Sequence, residues 1–397
     1  MISEASRPYI DASVPVLREH GLAITRLFYA NMLGARPELT RLFNMGNQAS
    51  GAQQQSLASA VFAYAANIGT PEALGPVVKR IVHKHVSIGI RAEHYPIVGK
   101  YLLESIAATL GDAATPALLD AWKEAYNSLA RLLIAAEAEM YSSAGIDPGA
   151  TRPMRVLEVV RESANVLSIR FEPADGKPLA DFQPGQYVSV AVDLPGGRHP
   201  LRQYSLSDQP GIGSYRISVK REDALADTPA GEVSNWLHAN VQPGSILQVA
   251  HPFGEFTPDT EGDAPIVLLS AGVGITPMVS TLKRIAAVNP QRRVIFAHAA
   301  RDPGHHALRA EVDALKAAMP NLAVLNFYED LQGSADGLEG RLDVARLPAW
   351  PLEQALVYLC GPHKFMQAQW LALINAEVPV ARLHREVFGP ELLDHLL

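Results

Sequence analysis

Four consecutive residues near the middle of the chain, Arg202-Gln203-Tyr204-Ser205, combine side chains that suit one kind of ligand. A guanidinium can pair with a diphosphate, an aromatic ring can lie on a flat ring system, and a hydroxyl can donate a hydrogen bond. Strand-like runs precede and follow this tetrapeptide, at residues 186–190 and 215–220. An extended segment of this composition favours the binding of a flavin nucleotide.

Two further motifs lie in the last third of the chain. Residues 271–277 (AGVGITP) connect a strand-like run to a helix-like run, and Pro277 suits the first position of that helix. The glycines would let the backbone approach a diphosphate, although an ordinary tight turn is the alternative and the third glycine of a dinucleotide fingerprint is absent. Cys360 follows another strand-like run, where a thiol could lie beside a nicotinamide or simply fill a core.

A histidine in the first third lies on the apolar stripe of a predicted helix over residues 77–88. At 100° per residue His85 projects onto the face of the valines and isoleucines, whereas His83 and Lys84 project onto the polar, solvent-facing side. A core histidine is the ordinary explanation, and a haem or metal ligand is the alternative. Further polar or aromatic residues on apolar stripes indicate a pocket: Tyr29, Phe43, Gln53, Leu57 and either Glu137 or Glu139.

Hydrophobic periodicity divides the elements that carry these residues into three regions. The first region is helical, and its predicted helices span residues 14–33, 53–68, 77–88, 95–110 and 116–141. The second alternates polar and apolar residues between turns, and its predicted strands span residues 155–161, 167–172, 186–192 and 215–220. The third alternates strands at 266–270, 294–298, 323–327 and 355–359 with helices at 277–288 and 307–318.

These regions predict a multidomain fold. We expect an all-α domain over residues 1–143 and a turn-rich linker over 144–152. An antiparallel β-barrel over residues 153–260 and an α/β domain with a parallel sheet over 261–397 follow. The flavin motif then lies in the barrel, and the glycine turn lies in a nucleotide-binding domain.

Composition narrows the class of protein. The chain has 397 residues, of which 48% are hydrophobic, and its net charge of −7 provides no basic field for nucleic acid. The single cysteine, Cys360, rules out an intramolecular disulfide and fits a reducing compartment. No apolar run approaches the ~20 residues of a membrane span, and the N-terminus lacks a signal-peptide pattern. We expect a cytoplasmic monomer with no nucleic-acid partner and no membrane span.

The order of the motifs in the last 245 or so residues resembles the ferredoxin–NADP reductase superfamily. RQYS is followed by GVGITP, then by Cys360-Gly361-Pro362, and finally by the terminal sequence EVFGP at 386–390. The resemblance implies that FAD is held by Tyr187, Arg202, Gln203, Tyr204, Ser205, Val233, Ser234 and Phe388. It implies that NADH or NADPH lies over Gly272, Val273, Gly274, Ile275, Thr276, Pro277 and Cys360.

The helical region resembles a bacterial globin of the flavohaemoglobin family. The similarity is carried by Leu27-Phe28-Tyr29, Phe43-Asn44-Met45, Gln53, Leu57, Lys84-His85, residues 95–99 and residues 136–139. By that resemblance His85 is the proximal iron ligand of haem b, and Tyr95 and Glu137 are its hydrogen-bonding partners. Tyr29, Gln53 and Leu57 would line the distal side, Phe43 would pack on the porphyrin, and Lys84 and Glu386 would lie between the two redox centres.

The family implies a nitric oxide dioxygenase. Electrons would pass from NAD(P)H to FAD and then to haem, where NO and O₂ would be converted to nitrate. Two alternatives remain open at this level: a sensor or carrier of O₂ or NO with a built-in haem reductase, and a flavin reductase with a haem-free helical module. The choice of nucleotide is also open, because Arg301 after the second strand could meet a 2′-phosphate while the acidic Asp302 lies beside it.

Overall fold

A computed structural model describes residues 2–43, 45–224 and 228–390 of the chain. Asn44 of the Phe43-Asn44-Met45 sequence and the last seven residues of the predicted third domain lie outside the described residues. The predicted order of fold classes is confirmed: a helical region comes first, an antiparallel sheet second and a parallel sheet third.

Several helices of the first region begin or end at residues that typically cap helices. Its helices are α1 (Arg7–Ala35), α2 (Met45–Ala49), α3 (Ala52–Ala66), α4 (Gly75–Ile88), α5 (His94–Leu110) and α6 (Pro116–Ala144). Thr115 caps α6 by accepting from the Leu118 amide, while Gly89 and Gly145 end α4 and α6 with positive φ angles of 81° and 65°. Helix α1 begins seven residues before its predicted start and contains Pro15. Helix α6 extends one residue into the predicted linker.

The helical region contains two separate apolar cores. The larger core joins α1, α3, α5 and α6 through residues such as Ile10, Phe28, Leu102 and Trp122. The smaller core joins α4 to α6 and includes Phe253 of the following domain. A domain of this size ordinarily has one contiguous core. The two cores here meet at Tyr126, which packs against both.

The middle region is an antiparallel sheet with one helix. Its elements are β1 (Thr151–Arg161), β2 (Val166–Pro173), β3 (Tyr187–Ala191), β4 (Leu201–Ser205), β5 (Tyr215–Lys220), α7 (Glu232–Asn240) and β6 (Ile246–Ala250). The strand order is β4-β3-β6-β1-β2-β5, and an isolated bridge between Leu206 and Ile217 links the two edges. The antiparallel pairing is as predicted, closure into a barrel stays a prediction, and β6 and α7 were not anticipated.

The last region is a parallel sheet flanked by helices. Its elements are β7 (Ile266–Ala271), α8 (Ile275–Val288), β8 (Val294–Ala300), α9 (Arg309–Leu315), β9 (Leu322–Tyr328), β10 (Leu338–Glu339), β11 (Leu356–Cys360), α10 (His363–Asn375) and β12 (Leu383–Glu386). The strand order is β10-β9-β8-β7-β11-β12. All strands are parallel, but successive strands are added on one side of β7 up to β10 and then on its other side, beginning with β11. Such a switch point opens a crevice at the carboxyl ends of the strands, where ligands bind in open α/β sheets.

Within the described residues, no helix is both long enough and apolar enough to cross a bilayer.

Candidate functional site

Helix α4 presents His85 to a buried carboxylate on α6. The Nδ1 atom of His85 lies 2.7 Å from Oε1 of Glu137 and 3.1 Å from the Tyr95 hydroxyl, which itself donates to Glu137 over 2.5 Å. Glu137 is 2% exposed, whereas Glu139 is exposed, so the structure separates the two carboxylates that periodicity left equivalent. Burial, followed by the neighbouring Glu137, raises the pKa of Tyr95 well above its usual value.

The carboxylate determines which nitrogen of His85 is free. An ionised carboxylate accepts hydrogen bonds only, so the ring proton is assigned to Nδ1 and the lone pair to Nε2. Across the residues that the structure describes, Nε2 makes no hydrogen bond, and the side chain keeps 31% of its surface exposed. This is the arrangement of a metal-binding imidazole whose second nitrogen is held by a carboxylate.

Helices α1 and α3 place Tyr29 and its neighbours in the larger core. The Tyr29 ring packs edge-on against Phe43 with their centroids 5.6 Å apart, and burial raises the pKa of Tyr29 to about 12. The nearby Gln53 side chain lowers that pKa in part. Leu57 remains only partly buried against the same core. Gln53 and Phe43 thus lie beside Tyr29.

The side chains available as metal ligands show whether this region fits a haem. Over residues 2–43, 45–224 and 228–390 there is no cluster of three or more histidine, cysteine, aspartate or glutamate side chains that could hold a bare metal ion. A porphyrin supplies four nitrogen ligands itself and needs one axial histidine from the protein. Apolar side chains that stay partly buried on both cores could flank it: Leu57, Val61, Val78, Ile81, Ile97 and Val98. The residues therefore fit a haem bound through His85.

Strands β3 and β4 hold the tetrapeptide RQYS in antiparallel register. Tyr187 pairs with Ser205 and Ser189 pairs with Gln203, so Arg202 and Tyr204 face one side of β4, opposite Gln203 and Ser205. Burial lowers the pKa of the Arg202 guanidinium, and no carboxylate forms an ion pair with it in the described part of the chain. A half-buried guanidinium without a carboxylate partner fits a diphosphate.

The other residues expected to bind the flavin differ in whether their side chains are available to contact a ligand. The Tyr187 hydroxyl is buried and makes no hydrogen bond within the described residues, as expected of a group that meets a cofactor. Phe388 is 43% exposed and available to cover a flat ring. Val233 is buried in the core of the sheet, and the Ser234 hydroxyl already bonds the Gly231 carbonyl and the Glu222 amide. Their contribution would therefore be structural or through the backbone.

The glycine turn and Cys360 meet at the switch point of the parallel sheet. Gly272 has a φ of 53°, and any Cβ on Gly274 would collide with the Cys360 carbonyl. Val273 follows Gly272 in the turn, and the Thr276 hydroxyl bonds the Val273 carbonyl over 3.0 Å. The sequence had suggested that Pro277 is the first residue of the helix after this turn. Helix α8 instead begins at Ile275, so Pro277 is its third residue.

Cys360 is fully buried at the carboxyl end of β11. It pairs with Ser270 of β7 on one side and with Glu386 of β12 on the other. Burial, and after it the charge of Glu386, raises the pKa of its thiol well above the usual value. A neutral thiol at this position packs against the turn and is not a nucleophile.

The polar face of α4 docks on the reductase half. Arg80 pairs with Glu255 over 2.7 Å, the His83 ring accepts from the Gly254 amide, and Lys84 donates to the Gly389 carbonyl over 2.9 Å. This corrects the expectation that His83 and Lys84 face solvent. A helical wheel identifies the polar face of a helix but cannot distinguish contact with water from contact with another polar surface.

Glu386 is buried in this interface, and the half-buried Lys84 lies close enough for the two charges to interact. Burial lowers the pKa of Lys84, and the nearby Glu386 partly opposes that shift. Burial, with Glu255 adding to it, raises the pKa of Glu386 to about 8. The carboxyl of Glu386 is therefore mostly protonated at neutral pH. It can hold a proton beside the carboxyl end of β11, next to the switch point.

Two residues that the sequence did not single out connect α4 to its surroundings. The Ser87 hydroxyl accepts from the Gln203 amide over 2.5 Å, and the Tyr141 hydroxyl donates to the Ile90 carbonyl over 2.9 Å. Ser87 lies two residues after His85, and Tyr141 lies one helical turn after Glu137. Only this proximity to the ligand residues could have drawn attention to either.

Comparison with known families defines the class of protein. The globin family matches residues 26–133, the oxidoreductase FAD-binding domain matches residues 153–257 and the oxidoreductase NAD-binding domain matches residues 268–370. Fold and site together thus describe a globin joined to an FAD- and NAD-binding reductase.

Full-length relatives make the assignment more specific. The chain is 50% identical to a flavohemoprotein of Bordetella parapertussis, over 98% of this chain and 99% of the relative. It is 46% identical to a flavohemoprotein of Rhizobium meliloti, over 99% of each chain. The crystal structure of a flavohemoglobin from Malassezia yamatoensis with bound FAD and haem superposes with a TM-score of 0.87 at 31% identity, over 98% of this chain and 100% of that one. The chain belongs to the flavohemoprotein family.

Proposed function

We propose that this flavohemoprotein is a nitric oxide dioxygenase. Bound FAD and haem b would supply the redox chemistry by which electrons from NADH or NADPH support the conversion of NO and O₂ to nitrate. One observation carries the proposal: a single helix, α4, holds the candidate iron ligand His85 and, two residues later, contacts the flavin-site strand through Ser87 and Gln203. A solved reductase portion of a nitric oxide dioxygenase from Vibrio cholerae supports it, at 37% identity over 61% of this chain with a TM-score of 0.56.

The residues around His85 suit oxygen chemistry. Because Glu137 holds the proton on Nδ1, Nε2 would face the iron, and the carboxylate makes the imidazole a stronger electron donor. On the distal side the raised pKa of Tyr29 keeps its hydroxyl protonated. A protonated Tyr29 hydroxyl would be able to donate a hydrogen bond to a ligand in the pocket.

The residues of the reductase half suit hydride delivery. Arg202 would pair with the flavin diphosphate, and Tyr187 and Tyr204 would contact the flavin, which Phe388 would cover. The nucleotide would lie over the turn at Gly272–Gly274, beside Cys360. Arg301 is exposed, whereas the Asp302 carboxylate is buried and bonded to His305, which leaves both NADH and NADPH as candidates.

Replacement of His85 by alanine tests the whole scheme. The variant should lose the Soret band and NO-dependent NADH consumption under air, yet keep NADH-driven reduction of a dye, because the flavin and nucleotide sites lie in other domains. His20, which is exposed on α1, provides a matched alanine control.

Other outcomes would favour the alternatives. Slow NADH consumption by the wild-type protein in the presence of NO and O₂ would favour a sensor or carrier. Absence of a Soret band after haem supplementation would favour a haem-free module. Loss of dye reduction in His85→Ala would contradict a modular reductase.

We also propose that the protein is a monomer in the cytoplasm. The net charge of −7 and the single, fully buried cysteine support this environment. Light scattering should give a mass near the 42.8 kDa of one chain, and a mass twice as large would contradict the monomer.

A further inference from the structure

Ser87 connects the globin half to the flavin-site strand through a completely buried hydroxyl. Its Oγ donates to the Lys84 carbonyl over 2.8 Å and accepts from Nε2 of Gln203 over 2.5 Å. The side chain is 1% exposed, although it belongs to the face of α4 that carries Arg80 and Lys84. Since a hydroxyl has one proton, donation to the helix carbonyl fixes its lone pairs as acceptors for Gln203.

The partners of Ser87 lie on two adjacent strands. Gln203 belongs to β4, and Tyr187, beside which the Ser87 hydroxyl also lies, belongs to β3. Both are candidate flavin residues. Polar contacts of Arg80, His83 and Lys84 with the reductase half involve Glu255 and backbone groups outside the RQYS tetrapeptide.

We propose that Ser87 is a positioning residue that fixes the haem-bearing helix α4 against the flavin strand β4, and that it thereby sets the rate of electron transfer from FAD to haem. The inference rests on the proposed function. Ser87 itself is not assigned a contact with either cofactor. It acts through Gln203, which its buried hydroxyl holds by a short hydrogen bond. Loss of the acceptor removes the net contribution of that bond, about 0.5–1.5 kcal/mol.

The test compares three variants of the full-length protein. Ser87→Ala removes the acceptor, and Ser87→Thr keeps the hydroxyl. Ser105→Ala is the matched control, because Ser105 is fully buried and donates to the Tyr101 carbonyl one turn earlier in α5. The first readout is hydrogen exchange of the backbone amides of α4 and β4, measured on the protein with and without haem.

The second readout separates the two electron-transfer steps. Anaerobic mixing with NADH reports haem reduction through the Soret band, and reduction of ferricyanide reports hydride transfer to FAD alone. In Ser87→Ala, exchange in the second half of α4 should accelerate by about two- to tenfold, the ratio that loss of one hydrogen bond gives. Haem reduction should slow by at least about twofold, while ferricyanide reduction stays unchanged. Ser87→Thr should restore both quantities, and Ser105→Ala should leave both at wild-type values.

Several results would overturn the inference. Unchanged exchange or unchanged haem reduction in Ser87→Ala would remove the positioning role, as would an equal effect in Ser105→Ala or no restoration by threonine. An equal slowing of ferricyanide reduction would move the effect to the flavin site. If NADH fails to reduce the haem of the wild-type protein, the proposed function itself is wrong, and that result is independent of the variants.

Discussion

At the scale of single residues, Glu137 shows how a charge is kept inside a helical domain. Its carboxylate is 2% exposed and takes hydrogen bonds from the Tyr95 hydroxyl and from Nδ1 of His85. A buried carboxylate without such donors would cost several kcal/mol. The two hydrogen bonds offset this cost, and the bond from Nδ1 also orients the imidazole. Both the stability of the domain and the orientation of His85 therefore depend on Glu137.

The raised pKa of Glu386 predicts that the stability of the protein depends on pH. Its folded-state pKa of about 8 is raised above the ordinary 4.5, so the protonated form stabilises the fold below about pH 4.5 and that stability is lost as the pH rises through about 8. Glu386→Gln should therefore match the wild type near pH 5 and exceed its unfolding free energy by roughly 2–4 kcal/mol near pH 9. Melting curves across this range measure the difference.

The exposed Glu139 supplies the control for that experiment. Glu139→Gln should leave the pH dependence of the melting temperature unchanged. A Glu386→Gln profile parallel to the wild-type profile would contradict a raised pKa at this position.

At the scale of elements, α4 is held from two sides. Its apolar side packs on α6, and Tyr141 of α6 donates to the Ile90 and Val86 carbonyls at the C-terminal end of α4. Gly89 ends the helix, and its amide also donates to the Val86 carbonyl, so Tyr141 adds a second donor there. The Tyr141 hydroxyl therefore adds to the closure of this helix end, which lies within two turns of His85.

Tyr141→Phe tests this closure. Removal of the hydroxyl leaves two buried carbonyls with one fewer donor, which should lower stability by about 1 kcal/mol and the melting temperature by about 1–3 °C. Haem retention should weaken in parallel, as monitored by the Soret band during urea titration. Tyr9→Phe, at an exposed position on α1, should change neither quantity, and an equal loss in both variants would contradict the role of Tyr141.

The elements also show what a single sequence can and cannot predict. Periodicity predicted α3 to α6 and the central strands of the parallel sheet, because in each a local repeat coincides with the buried face. Helix α7 and strands β10 and β12 escaped notice, since they are short and their place depends on neighbouring chain segments. The candidate ligand His85 could be predicted. The Gln203 partner of Ser87 lies 116 residues away in the sequence and leaves no local signal.

At the scale of the whole molecule, two glycines allow the chain to pass from one half to the other. Gly89 has a φ of 81°, and any Cβ there would collide with the backbone of Gly149 in the segment between α6 and β1. Arg91 adds a hydrogen bond to the Pro148 carbonyl over 3.2 Å. The connecting segment is therefore packed against the end of α4 and is not a free tether.

Gly89→Ala should expose the importance of this contact. Strain at the positive φ and the collision with Gly149 together should destabilise the protein by about 2–4 kcal/mol. Gly145→Ala is the matched control, because Gly145 has a φ of 65° but open space for a Cβ. Thermal melting should show a larger loss for Gly89→Ala, and equal losses would mean that the close approach to Gly149 contributes nothing.

The two faces of α4 constrain how this molecule could be recombined. One face presents His85 to Glu137, and the other is matched to Glu255, Gly254 and Gln203 of the reductase half. A chimera that joins a foreign globin to this reductase at the connecting segment would carry a foreign α4 into that interface. Such a hybrid would inherit both cofactor sites and still lack communication between them, unless its fourth helix were regrafted with the arginine, histidine and serine found here.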